Sequence, residues 1–175
     1  SIVPLRHIYK TDIKIMNLQL TVGEKIIMDK FNLFVPEKTK IGIFGKSGRG
    51  KSTLLKAIFN LFEPTEGSIF IGGYNIKEYI SSSFRKSIVY INQDTSLENT
   101  TIMKNLQIGN ERTEDEIKAF LNQYNLMPVF QNGLEETITM NGKLISKGMQ
   151  KVIFVARGLL RKDAKIYLID EPTTS

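Results

Sequence analysis

The sequence predicts an α/β fold, a mainly parallel β-sheet with helices between its strands and a helical insertion. Three observations predict it. Short apolar runs bounded by turn residues recur at 13–15, 25–28, 40–44, 68–71, 87–91 and 166–169. Those at 41–44, 88–91 and 166–169 are almost continuously apolar, as strands covered on both faces of a parallel sheet are. Helical periodicity fills the gaps between runs. From about Asn105 to Gly142 there is no strand run, which places a mainly helical segment inside the α/β unit.

Each helix has its own signal. Residues 51–62 put Leu54, Leu55, Ile58 and Leu61 or Phe62 on one face. Thr113 stands before Glu114, Asp115 and Glu116, so a hydroxyl cap and three acids meet the positive end of a helix dipole. Ile117, Phe120, Leu121 and Tyr124 continue that helix as its apolar stripe. Residues 148–160 form a third, with Val152, Val155, Ala156 and Leu159 or Leu160 spaced for one face.

Composition narrows the classes. At 175 residues one domain is expected, since ~100–200 residues per domain is usual. The hydrophobic fraction of 41% and charged fraction of 24% suit a globular chain and argue against disorder. Zero Cys excludes disulfides, thiolate metal sites and a Cys nucleophile, and one His excludes a His-rich cluster. No run approaches the ~18 apolar residues of a membrane span, and the N-terminus has no signal-peptide core. A soluble, intracellular-type domain is the expectation, and the initial Ser1 suggests processing or excision. The net charge of +6 fits a lysine-rich surface, 18 of the 24 cations being Lys, or an anionic partner. The cations are scattered, so no nucleic-acid partner is expected.

Chemistry concentrates in two places. Gly45-Lys46-Ser47-Gly48-Arg49-Gly50-Lys51-Ser52 matches G-x-x-x-x-G-K-[ST]. A chance match in a chain this long is on the order of one percent. It follows an apolar run and opens an amphipathic helix, the context that confirms such a phosphate-binding loop. Glycines let the backbone curl around an anion, successive N–H groups point inward, Lys51 supplies a compact charge and the Ser52 hydroxyl can hold Mg²⁺. The second place is Asp170-Glu171, at the C-terminal end of the last apolar run, the edge where ligands bind in open α/β sheets. Asp170 can hold Mg²⁺ and Glu171 can act as base or positioner for an attacking water.

With these motifs the chain resembles the nucleotide-binding domain of ATP-binding-cassette (ABC) transporters, from about residue 13 to the last residue. The loop looks like Walker A and the Asp170-Glu171 strand like Walker B. Ile91-Asn-Gln93-Asp-Thr-Ser-Leu97 looks like the Q-loop, and 84–93 followed by Thr101-Ile-Met-Lys-Asn105 resembles exporter-type cassettes most. Ile145-Ser-Lys-Gly-Met149 stands where the family has L-S-G-G-Q, 25 positions before Asp170, ahead of a helix carrying Ala156-Arg157-Gly-Leu-Leu160. The resemblance implies a P-loop NTPase core with N-terminal antiparallel strands. It divides the chain into a linker (1–12), β strands and ATP-binding core (13–104), a helical subdomain ending in the signature (105–147), and the signature helix with Walker B (148–175).

It also implies ATP and Mg²⁺ as cofactors. The implied nucleotide-binding residues are Gly45, Lys46, Ser47, Gly48, Arg49, Gly50, Lys51, Ser52, Thr53 and Gln93, with Ser146 and Gly148 facing a second cassette's ATP. Ser52, Gln93 and Asp170 would serve the metal, and Glu171, Lys51 and Gln93 catalysis. Two cassettes, identical or different, would close head to tail around two ATP molecules and drive a transmembrane domain, in the same chain or a partner chain, from the cytoplasmic face of a membrane. Export is favoured.

The sequence departs from the family at several positions. Lys147 and Met149 replace signature residues, no aromatic stands at 20–22 where adenine would stack, and position 98 is Glu rather than aromatic. The acidic loop before the signature is reduced to 139–142. These departures keep two alternatives open: a degenerate regulatory cassette with weak ATPase, or a soluble ABC-type ATPase. The chain ends four residues past Glu171, before the family's D-loop and switch histidine, and His7 is misplaced to substitute. Residues 1–175 alone are therefore expected to turn over ATP poorly, and the sheet to have a gap at its centre, between the Walker A and Walker B strands.

Overall fold

The computed structural model describes residues 6–43, 49–92, 95–139 and 145–170, with the side chain of Arg49 also outside the description. The chain forms two compact units, one from residues 1–90 with 168–175, the other from 91–167.

The first unit is built on a four-stranded antiparallel sheet. Strands β1 (Ile13–Val22) and β2 (Lys25–Val35) form a hairpin that turns at Gly23, β3 (Glu66–Ile71) pairs with β1 on its other side, and β4 (Tyr74–Asn75) pairs with β3. In β1 the alternation buries Ile13 and Ile15, then slips between Ile15 and Leu18, where Asn17 takes a left-handed φ of 49°, and resumes at Leu18 and Leu20. Gly67 is required opposite this bulge: its φ is +86°, and an added Cβ would lie 2.4 Å from the Asn17 carbonyl oxygen. Ile8, ahead of the sheet, is buried at 1% exposure.

Helix α1 runs Arg49–Ile58 and buries Leu54, Ala57 and Ile58. It ends earlier than the periodicity predicts. Asn60 adopts φ 60° and the Leu61 N–H reaches the Lys56 carbonyl at 2.8 Å, a Schellman closure. Leu61 is therefore turned outward, half exposed. Helix α2 (Ser81–Ser87) leads into β5 (Ile88–Ile91), and β5 pairs with β6 (Ile166–Ile169) in a two-stranded parallel sheet. The run at 40–44 is expected as a strand, but the described residues 40–43 are not one. No described strand pairs with them, and Ile41 and Ile43 are 45% and 38% exposed. An apolar run without a ladder partner satisfies neither its backbone groups nor its side chains as a strand would.

The second unit is helical: α3 (Ile102–Gln107), α4 (Glu114–Gln123), a 3-10 turn (Met127–Val129) and α5 (Lys147–Leu159). Its core joins Ile102, Met103 and Leu106 of α3, Ile117 and Leu121 of α4, and Ile153, Ala156 and Leu160 of α5 and its end, closed by Phe130, Leu134, Ile138 and Ile145. Thr113 caps α4 as its sequence predicts. Its hydroxyl accepts from the Glu116 N–H at 3.2 Å while the Glu116 carboxylate accepts from the Thr113 N–H.

Candidate functional site

In the first unit, α1 opens inside the glycine-rich motif, with Gly50, Lys51 and Ser52 in its first turn and no acid among them. The end of a helix that exposes N–H groups and carries a lysine but no carboxylate suits an anion. Among the described residues, an added Cβ at Gly50 would meet only the Ile27 carbonyl oxygen, at 4.0 Å. Lys51 and Ser52 are half-buried, while Thr53 is buried at 7%. Asp170 follows β6 directly and is half-buried.

Among the described residues no three His, Asp or Glu side chains cluster to hold a metal. Ser52 can offer one oxygen to a cation and Asp170 a carboxylate, and Mg²⁺ is bound by one or two protein groups together with substrate phosphates. Gly45, Lys46, Ser47, Gly48, Gln93 and Glu171 lie outside the described residues, as does the Arg49 side chain. Leu20 is wholly buried and Thr21 and Val22 half-buried, so 20–22 offers no ring, while Tyr9 is 82% exposed.

In the second unit, Ser146 is the N-cap of α5, its Oγ accepting from the Met149 N–H at 3.1 Å. Ser146, Lys147 and Gly148 are all exposed. Among the described residues, a Cβ on Gly148 would touch only Ser146 Oγ, at 3.8 Å, an ordinary contact. Packing among them therefore does not require this glycine. A cavity of about 500 Å³ beside it is lined by Val129, Gln131, Asn132, Glu136, Met149 and Val152 as well as Ser146 and Gly148.

Sequence reasoning missed the polar network at the other end of α5. Asn105 is wholly buried in α3, Asn110 is buried at 4%, and Arg157 reaches in from α5. Burial pulls the Arg157 guanidinium below its usual range, partly opposed by the Glu98 carboxylate. The available signal was one polar residue, Asn105, between Met103 and Leu106 on an otherwise apolar helix face.

Comparison with known proteins points to one family. A family model described as "ABC transporter" matches residues 28–174. The chain is 37% identical to "ABC transporter C family member 12" of Dictyostelium discoideum, over 93% of this chain and 13% of that protein. It is 35% identical to "Iron-sulfur clusters transporter ATM1, mitochondrial" of Saccharomyces cerevisiae, over 87% of this chain and 22% of that protein. Against "Probable ABC transporter ATP-binding/permease protein" of Haemophilus influenzae it is 33% identical, over 100% of this chain and 32% of that protein. A solved structure titled "Structure of a bacterial Atm1-family ABC exporter with ATP bound" superposes with a TM-score of 0.83 at 25% identity, covering 97% of this chain and 30% of that one. The chain thus spans a third or less of these relatives.

Proposed function

The chain belongs to the ABC transporter family, and on that premise we propose that it is the ATP-binding and ATP-hydrolysing cassette of an exporter-type membrane transporter. The observation that carries the reading is α1 opening inside G-x-x-x-x-G-K-S with a lysine, a serine and no acid in its first turn.

When bound, Mg-ATP would supply the phosphoanhydride whose cleavage drives the cycle. The chain's own residues have distinct tasks. Lys51 and the N–H groups of the α1 start hold negative charge in place, and charge that grows on the phosphate oxygens during cleavage is held by the same donors. Ser52 and Asp170 offer oxygens to the cation. Glu171 orients the attacking water and accepts its proton, and Gln93 reads the occupied site. Ser146 and the α5 N–H groups form an anion site open to a second cassette, identical or different, so closure of two cassettes completes both sites. Among the described residues no helix is long and apolar enough to cross a membrane. The spans would come from the rest of the protein or a partner chain, with this domain on the cytoplasmic face.

The test uses the intact protein. Lys51→Ala should abolish nucleotide binding, read by a fluorescent ATP analogue. Glu171→Gln should bind ATP yet stop turnover and accumulate an ATP-stable cassette dimer. Wild-type hydrolysis by Glu171→Gln would sink the assignment. One observation favours a second reading, a regulatory cassette with weak ATPase: Lys147 puts a cation in the first turn of α5, where the dipole opposes it. ATPase activity measured alone and with the partner cassette separates the two.

A further inference from the structure

Residues 95–98 have no regular secondary structure, so something other than a ladder must fix their backbone. Two side chains do. Asn105 Nδ2 donates to the Glu98 carbonyl at 3.0 Å and to the Thr101 carbonyl at 3.0 Å. Asn105 Oδ1 accepts from the Glu98 N–H at 2.9 Å and from Arg157 Nη2 at 3.2 Å. Both donors and both acceptor positions of this wholly buried amide are used. Arg157 adds Nε to the Asn105 carbonyl at 2.9 Å and Nη1 to the Ser96 carbonyl at 3.3 Å. Leu97, between them, packs on the helical core. A three-residue irregular segment is thus bolted to α3 and to α5 by one guanidinium and one amide.

The two ends of α5 give this bolt a consequence. Ser146 caps the helix start and Arg157 lies eleven residues on, about 16 Å along a rigid rod. Ser96 follows Gln93 by three residues in sequence. We propose that Arg157 is a positioning residue for ATP hydrolysis, which through Asn105 locks residues 96–98 to α5 so that the segment after Gln93 and the Ser146 cap move as one body. Each cassette would then present its γ-phosphate reader and its contribution to the neighbouring site together. The guanidinium fork is needed because three acceptors in different directions must be met at once, which an ammonium on a flexible stem does poorly. The inference rests on the roles given above to Gln93 and Ser146.

The test is Arg157→Lys in the intact protein, with Glu171→Gln as control. Hydrogen exchange should show the Glu98 amide losing protection in Arg157→Lys while α5 amides near Ile153 keep theirs. Turnover should fall about tenfold or more, with KM for ATP within about twofold of wild type. Wild-type turnover in Arg157→Lys, with Glu171→Gln inactive, would overturn the latch and leave the ATPase reading standing. Wild-type turnover in Glu171→Gln would instead sink that reading. Should Arg157→Lys fail to fold, the wild-type protein decides. On adding ATP the Glu98 and Met149 amides should change protection together, and independent responses would overturn the proposal.

Discussion

The β unit and the helical unit hold their irregular backbone in different ways, and the difference separates what is local from what is not. In the helical unit, loops are tied by side chains. Arg112 Nε donates to the Leu160 carbonyl at 2.7 Å, Gln107 Nε2 donates to the Arg112 carbonyl at 3.0 Å, and Asn105 and Arg157 hold 96–98. In the β unit, most non-helical backbone is held by ladders, of which β1 with β3 joins residues more than forty positions apart, and side chains tie only what the ladders leave, as Asn32 Oδ1 accepting from the Asn17 N–H at 3.0 Å does at the bulge. Where the described residues supply no ladder partner, apolar side chains stay outside, as at Ile41 and Ile43. A side-chain tie needs one well-placed polar residue, whereas a ladder needs a whole second strand.

The largest way to break this comparison is to open the helical core. Leu121 is wholly buried in the cluster that also holds Ile117 of its own helix and Ile153 of α5. Leu121→Ala should cost about 3 kcal/mol from lost burial and the cavity left behind. If the units are separately held, hydrogen exchange will accelerate at Met103, Ile117 and Ile153 while the β1–β3 ladder amides keep their protection. Uniform loss across both units would show one cooperative fold and end the distinction.

The same contrast explains what was legible in the sequence. The α4 start was readable to the residue because Thr113 and Glu116 cap within one turn. So was the buried face of α5 around Ala156, although Ile153 rather than Val155 is its deepest neighbour. Of β1 and β2 only 13–15 and 25–28 stood out, yet the strands run Ile13–Val22 and Lys25–Val35. The bulge at Asn17 and the left-handed Lys30 shift the alternation, so a period-two reading stops there although pairing continues. The starts of the phosphate loop helix and of α5, expected at 51 and 148 and found at Arg49 and Lys147, were legible because the signals are local, whereas the Ser146 cap was not read from the sequence. The Arg157–Asn105 network was not, because it joins residues 52 positions apart.

A smaller effect sharpens the comparison, because both units use a reciprocal cap. Thr113 caps ten-residue α4, whereas Asn75 caps a three-residue 3-10 turn, Oδ1 accepting from the Lys77 N–H at 3.0 Å and Glu78 reaching back to the Asn75 N–H at 2.9 Å. Thr113→Ala should cost about 1 kcal/mol by chemical denaturation. Asn75→Ala should cost less, since its cap initiates a single turn with poorer hydrogen-bond geometry. Equal losses would mean that the cap's value does not depend on the element it starts.

The smallest effect is a pH dependence at the same cap. The side-chain hydrogen bond from Arg112, then the Thr113 N–H, holds the Glu116 carboxyl below its ordinary value, with Lys162 adding to the pull. A carboxyl whose folded value is depressed binds fewer protons when folded than when unfolded. Its contribution is therefore fully present above the ordinary carboxylate value and is lost as pH falls through the depressed one. Glu116→Gln keeps a weaker reciprocal hydrogen bond but no charge. The stability gap between wild type and Glu116→Gln should be open at neutral pH, close progressively on acidification, and narrow with added salt because the pair is solvent-exposed. A gap that stays constant with pH would place the value of the cap in its hydrogen bonds alone and take Arg112 out of the account.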